Sequence, residues 1–208
     1  MRAPAATAGF LALLTASTAP AESGSASLYQ PDDATADAVI AEALPAFGDP
    51  GEWWWQYGGG GGSSVNNGDY SVMAFGGASY FLARDFELSL DLTVWYLGED
   101  HEDGDDAVAL NVNPKFRWHF INEADFSLFA EAGVGLLVAS EEAPEGGSEF
   151  NFTPQAGAGA TFALSDDTAE RLIVGVNWRH ISNANSFGSD RNPGRDDVVV
   201  YVGVMVPF

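Results

Sequence analysis

An all-β fold, an eight-stranded antiparallel transmembrane β-barrel, is what this sequence predicts. Three observations carry the prediction. Apolar residues recur with period two over most of 53–208, the spacing that puts alternate side chains on opposite faces of a strand. Eight segments share the pattern, and the connections between them alternate between short and long, as in barrels with tight turns at one end and loops at the other. The opposite face carries Gly, Ser, Thr, Asn and charges of both signs, which suits a narrow lumen where charges pair.

The first residues stand outside this pattern. "MRAPAATAGFLALLTASTAPA" has one early charge at Arg2, an apolar centre at Phe10–Leu14 and the small-residue close Ala19-Pro20-Ala21. It predicts a signal peptide over 1–21, cleaved after Ala21. Residues 22–52 follow as an acidic periplasmic segment. Within it "PDDATADAVIAEALPAF" reads either as a short helix or as a mobile tail.

The barrel segments then run in order over 53–61, 69–82, 86–97, 107–121, 126–139, 150–164, 171–182 and 197–208. The first opens on Trp53–Trp55 and runs into "YGGGGG". No Gly-Lys-Ser/Thr follows those glycines, so they form no phosphate loop; they read as a bent strand end or a flexible loop. The third alternates Phe86, Leu88, Leu90, Leu92, Val94 and Tyr96 with Glu87, Ser89, Asp91 and Thr93. The fourth alternates Val108, Leu110, Val112, Pro114, Phe116 and Trp118 with Asn111, Asn113, Lys115, Arg117 and His119. The fifth adds Glu131 to the polar face. In the sixth, Phe150, Phe152, Ala156, Ala158 and Ala160 alternate with Asn151, Thr153, Gln155 and Gly157. The last sets Val198, Val200, Val202, Val204, Val206 and Phe208 on one face. Aromatics gather near strand ends (Trp53–Trp55, Trp95, Tyr96, Trp118, Phe120), as interfacial girdles do. Alternation alone does not say which face is outside, so a soluble lipocalin-like carrier of an apolar ligand is the rival barrel.

Composition narrows the function. The chain has no cysteine and a net charge of −22, which excludes a thiolate metal site and argues against nucleic acid as a partner. The acidic loop 98–106 contains His101 but lacks the ligand spacing of a calcium loop; it reads as solvated, and no metal or cofactor is expected. His119 falls on the lumen face, where a structural role is expected.

The seventh segment poses a question. Leu172, Val174, Val176 and Trp178 share one face, and His180 and Ser182 continue it. At ~3.3 Å per residue and ~40° tilt, His180 lies about 23 Å above the start of the strand near Arg171. That places the pair at the outer rim of the apolar wall. The eighth segment runs antiparallel beside it, and Asp196 has the parity of Val198. Three residues of the types that make a Ser-His-acid triad thus converge on one patch.

"HISNA" at 180–184 followed by "NPGRD" at 192–196, before a short final strand, resembles the PagL-type lipid A 3-O-deacylases. The terminal Phe208 is similar to the last residue of bacterial outer-membrane barrels. The resemblance implies an exported outer-membrane enzyme of Gram-negative type that removes the ester-linked 3-hydroxyacyl chain at position 3 of lipid A in lipopolysaccharide. It implies His180 as base, Ser182 as nucleophile and Asp196 as the orienting acid, where the family usually carries Glu. Asp197, the neighbouring acid, has lumen parity. Asn183, or backbone N–H groups of its loop, would hold the oxyanion, and Asn192 and Gly194 would shape the loop. Arg179, Arg191 and Arg195 cluster in sequence here. They are candidate contacts to lipid A phosphates, or else they neutralise Asp190, Asp196 and Asp197. Lipid A and the surrounding outer-membrane lipids are the expected partners, and a homodimer stays open. The alternative within the same fold is a non-catalytic small barrel, structural or adhesive.

Overall fold

A computed structural model describes residues 47–100, 105–165 and 168–208. The signal segment 1–21, most of 22–52 and His101 lie outside the described residues. Eight strands form: β1 (Trp53–Ser64), β2 (Tyr70–Ala83), β3 (Phe86–Gly98), β4 (Ala107–Asn122), β5 (Phe126–Ala139), β6 (Phe150–Ala163), β7 (Arg171–Ile181) and β8 (Arg195–Pro207). Each pairs with its sequence neighbour, and β1 pairs antiparallel with β8 from Trp54↔Pro207 to Ser64↔Asp197, which closes the barrel.

The strands follow the sequence pattern with small differences. β1 continues to Ser64, so the glycine run is strand interior and not a loop. A Cβ added at Gly60 would run into the Val200 carbonyl across the ladder. Bare backbone there lets β1 and β8 approach and bend as a small barrel requires. β8 begins at Arg195, two residues earlier than its alternation suggests. Residues 47–52 pack as part of the barrel rather than as tail. The Phe47 ring meets Trp54, Phe81 and His119 edge-on at 5.1, 5.2 and 5.1 Å. Arg171 sits 4.3 Å over the same ring. One end of the lumen is thereby stoppered.

Burial settles which face is outside. Leu90, Leu92, Val94, Val108, Leu110, Val112, Val198, Val200 and Val202 are exposed on the wall. Glu87, Asp91, Lys115, Arg117, His119 and Glu131 are buried in the lumen. A soluble carrier needs the reverse arrangement, so the lipocalin-like rival falls. The lumen charges are paired: Arg117 with Glu87 at 2.6 Å and Glu131 at 3.0 Å, Lys115 with Asp91 at 2.8 Å, His119 with Glu87 at 3.0 Å. Buried ions cost several kcal/mol each unless paired, so this network is a condition of the fold. Trp54 and Trp95, read from sequence as girdle residues, are buried inside instead. Their parity is that of the polar face. Trp53, Trp55, Tyr96, Trp118 and Phe120 do face outward.

Candidate active site

The site lies on the outer wall at the long-loop end, where β7 and β8 meet. The β7–β8 ladder pairs His180 directly with Asp196. Directly opposed residues hold their Cβ atoms about 5 Å apart, and the short Asp side chain spans that gap. His180 Nδ1 lies 2.9 Å from Asp196 Oδ1. An ionised carboxylate only accepts, so Nδ1–H donates and Nε2 is left with its lone pair outward. Both side chains are 31% exposed.

The ring is fixed from other directions too. Trp178, two residues below on the same face, lies nearly parallel to it, with centroids 6.1 Å apart and planes at 22°. Gly194 closes over its edge. A Cβ there would stand 3.0 Å from His180 Cε1, and Gly194 has φ +70°, a left-handed backbone that favours glycine. On the β6 side the ladder lapses. It is regular to Gln155↔Arg179 and returns as a single bridge at Phe152↔Ser182. Between them the register passes Pro154, which has no N–H to donate.

Ser182 is the first residue past β7. Its backbone exchanges two hydrogen bonds with Phe152, at 2.7 and 3.1 Å, and the residue is 9% exposed. Among the described residues its hydroxyl makes no hydrogen bond to His180. The chain then turns sharply. Ser186 N–H donates to the Asn183 carbonyl at 3.0 Å, and the two central residues, Ala184 and Asn185, have φ of 52° and 62°. A non-glycine pair in this region stores strain. Neither of their N–H groups has a partner among the described residues.

Asn183 bonds within the loops through its side chain. Its side-chain amide is engaged twice, with Ser148 Oγ at 3.1 Å and the Arg191 carbonyl at 2.5 Å. Its own N–H donates to Asn192 Oδ1 at 2.9 Å. Asn183 is therefore a clamp that ties the 182–194 loop to the 140–149 loop. Asn192 accepts the Asn183 N–H bond through Oδ1, and Gly194 turns the chain at φ +70° into β8.

The arginines separate. Arg179 and Arg195 are adjacent in sequence to the His–Asp pair but have the opposite parity, so both are buried in the lumen. Arg179 binds Asp197 at 2.5 Å and lies 3.6 Å over the Trp95 ring. Arg195 binds Asp197 at 2.8 Å and Glu99 at 3.4 Å. They neutralise carboxylates, and neither reaches a phosphate on the wall. Arg191 alone is exposed, paired with Glu142 at 2.6 Å. Sequence reasoning placed Trp178 on the face of the site but missed Phe152 and Ser148 as its neighbours. Strand register could have supplied Phe152; nothing in the sequence signals Ser148.

The fold and this site define a class: a small transmembrane barrel with an apolar wall, a charged closed lumen and a His–acid pair on the outside of that wall. The family model described as PagL: Lipid A 3-O-deacylase (PagL) matches residues 44–205, and the chain belongs to that family. Solved structures share the fold. The outer membrane enzyme PagL is 21% identical, with a TM-score of 0.54 over 74% of this chain and 99% of that one. Neisserial surface protein A is 17% identical, with a TM-score of 0.56 over 76% and 96%. The outer membrane protein OprG from Pseudomonas aeruginosa is 12% identical, with a TM-score of 0.50 over 79% and 99%. No curated protein sequence matches the chain.

Proposed function

We propose that this protein is an outer-membrane lipid A deacylase, a serine esterase that hydrolyses the 3-hydroxyacyl ester at position 3. The observation that carries the reading is the 2.9 Å His180–Asp196 hydrogen bond on the wall, with Ser182 two residues on, bridged to Phe152, in a chain of this family. Ser182 Oγ attacks the ester carbonyl carbon as His180 Nε2 takes its proton. The carbon–oxygen bond to the sugar breaks, and His180 returns the proton to the departing sugar oxygen. Water, deprotonated by the same nitrogen, then releases the fatty acid and restores Ser182. Asp196 holds the tautomer and stabilises the imidazolium.

Asn183 keeps both amide bonds of the clamp throughout. The oxyanion is then held by the free N–H groups of Ala184 and Asn185, in the turn that follows the nucleophile. A wall site suits the substrate, because its acyl chains already lie in the membrane and need not enter the lumen. The test is mass spectrometry of lipid A incubated with refolded protein in detergent. Loss of one hydroxyacyl chain with the parent and not with Ser182→Ala is expected. Intact lipid A from a folded parent would leave a non-catalytic barrel.

A further inference from the structure

A cleft joined to the turn after Ser182 through Asn183 holds side chains that the proposed reaction does not use. It opens between the 140–149 and 182–194 loops, measures about 250 Å³ and is lined by Glu142, Ser148, Glu149, Phe150, Phe187 and Arg191. Two connections fix it relative to Ser182. The Asn183 amide, one residue on, holds Ser148 Oγ and the Arg191 carbonyl together. Phe152, the bridge partner of Ser182, packs edge-on against Phe150 with centroids 5.5 Å apart. The cleft lining is thus tied to Asn183 and Phe152, the chain neighbour and the bridge partner of Ser182.

The lining selects among ligands. Phe187 is 52% exposed in a loop otherwise small and polar. Arg191 and Glu142 pair at 2.6 Å through one nitrogen and one oxygen, with side chains 55% and 46% exposed. Their remaining N–H groups and carboxylate oxygen stay available. Glu149 adds a second carboxylate. One cation against two anions leaves the cleft net negative, and a phosphate placed there meets repulsion. Hydroxyl and amide groups suit it better, because they accept from the guanidinium and donate to the carboxylates. The volume falls just under the roughly 300–1,000 Å³ usual for small-molecule sites, enough for one ring rather than a whole head group.

We infer that this cleft is a subsite for one hexosamine ring of the lipid A head group. Phe187 supplies the apolar wall for the ring's C–H face, and Glu142 with Arg191 supplies hydrogen bonds to its hydroxyls. The inference rests on the deacylase reading, since it names the part of that substrate held beside Ser182.

The experiment compares full-length refolded protein with its Phe187→Ala variant on lipid A, on dephosphorylated lipid A and on 4-nitrophenyl decanoate, an ester without sugar. An acyl-free glucosamine disaccharide is added at millimolar concentration as a competitor of the decanoate. Phe187→Ala is expected to raise KM for lipid A about tenfold with kcat within about twofold, the loss of one aromatic contact. The ratio of kcat/KM for lipid A to that for the decanoate falls by the same factor. The disaccharide inhibits the parent competitively and the variant about tenfold less well. Dephosphorylated lipid A is cleaved as fast as lipid A. An equal loss on both esters, or no inhibition by the disaccharide while lipid A is still deacylated, overturns the subsite and leaves the deacylase standing. A large loss on dephosphorylation makes phosphate the occupant and also overturns it. A parent that cleaves the decanoate but leaves lipid A intact removes the deacylase reading, and this inference with it.

Discussion

Two sets of polar contacts in this barrel, each built around carboxylates and basic side chains, serve opposite ends. In the lumen, Arg117 binds Glu87 and Glu131, and Glu131 is further bound by Lys115 at 3.4 Å, Asn177 at 2.9 Å and Tyr201 at 2.8 Å. On the wall, His180 has one polar partner, Asp196, and both are partly exposed. The lumen network is redundant and shielded from water; the wall pair is single and open on one side. Redundancy is what a closed polar core needs to survive burial of charge. A single hydrogen bond with one ring nitrogen left over is what proton transfer needs. The comparison predicts that substitutions in the lumen cost stability and substitutions on the wall cost rate.

The sharpest test of that division is on the wall. Asp196→Asn keeps the shape but loses the carboxylate that fixes the tautomer, and should lower kcat roughly 10⁴-fold. Melting in detergent should change by less than about 1 kcal/mol, since an exposed pair contributes little. Deacylation rate and thermal unfolding, measured on one preparation, check both halves. A large drop in stability with a modest drop in rate would make the pair structural and break the comparison.

Next in size is the lumen hub. Glu131→Ala leaves Arg117 with Glu87 and Lys115 with Asp91 but takes the shared acceptor from Asn177 and Tyr201, and should destabilise the barrel by about 1–3 kcal/mol. Whatever fraction folds should deacylate at close to the parental rate per molecule. Gel-shift assays of heat-modified barrel give the folded fraction against which rate is normalised. Loss of rate in fully folded protein would show that the lumen acts on the wall site after all.

Gly194 belongs to the wall, at the edge of the His180 ring. Gly194→Ala places a methyl 3.0 Å from His180 Cε1 at φ +70°. The backbone strain costs about 1 kcal/mol, and a tilted imidazole should lower kcat about tenfold. A Gly194→Ala protein with unchanged kcat would mean the ring tolerates displacement and that Asp196 alone sets its position.

The legible part of this molecule is the part governed by period two. Alternation gave the strands, the wall and the lumen, and parity put His180 and Asp196 on one patch of the wall. The shorter acid reaches because the two residues are direct cross-strand partners, a register that parity alone does not set. Arg179 and Arg195 misled through proximity in sequence, although their parity already pointed inward. The Ser148–Asn183–Arg191 clamp was not legible at all. It joins two loops whose conformations depend on each other, and no local pattern encodes that. The position of Phe47 in the lumen mouth was hidden for the same reason: a residue with no periodic neighbours shows no face.

The smallest expected effect carries the comparison to the long-loop mouth of the lumen, where Glu99 sits beside Asp69 and under Arg195. Burial and the Asp69 charge raise the Glu99 carboxyl above the ordinary range, and Arg195 opposes them only in part. A carboxyl whose pKa is raised on folding binds its proton more tightly in the folded state. Its favourable contribution is therefore full below the unfolded pKa and is lost as pH rises through the folded value. Glu99→Gln resembles the protonated form, so it should raise the melting temperature slightly at pH 7. The gain should shrink towards zero as pH falls to the ordinary glutamate range. The same change at Glu131 should lower the melting temperature at neutral pH, because there a carboxylate is surrounded by cations and donors. Melting curves for both variants at pH 4 and pH 7 give four numbers. Opposite signs at pH 7 would mark the mouth as a place where charge is crowded and mid-lumen as one where it is required. A lower melting temperature for Glu99→Gln at pH 7 would mean that attraction to Arg195 governs the mouth as well.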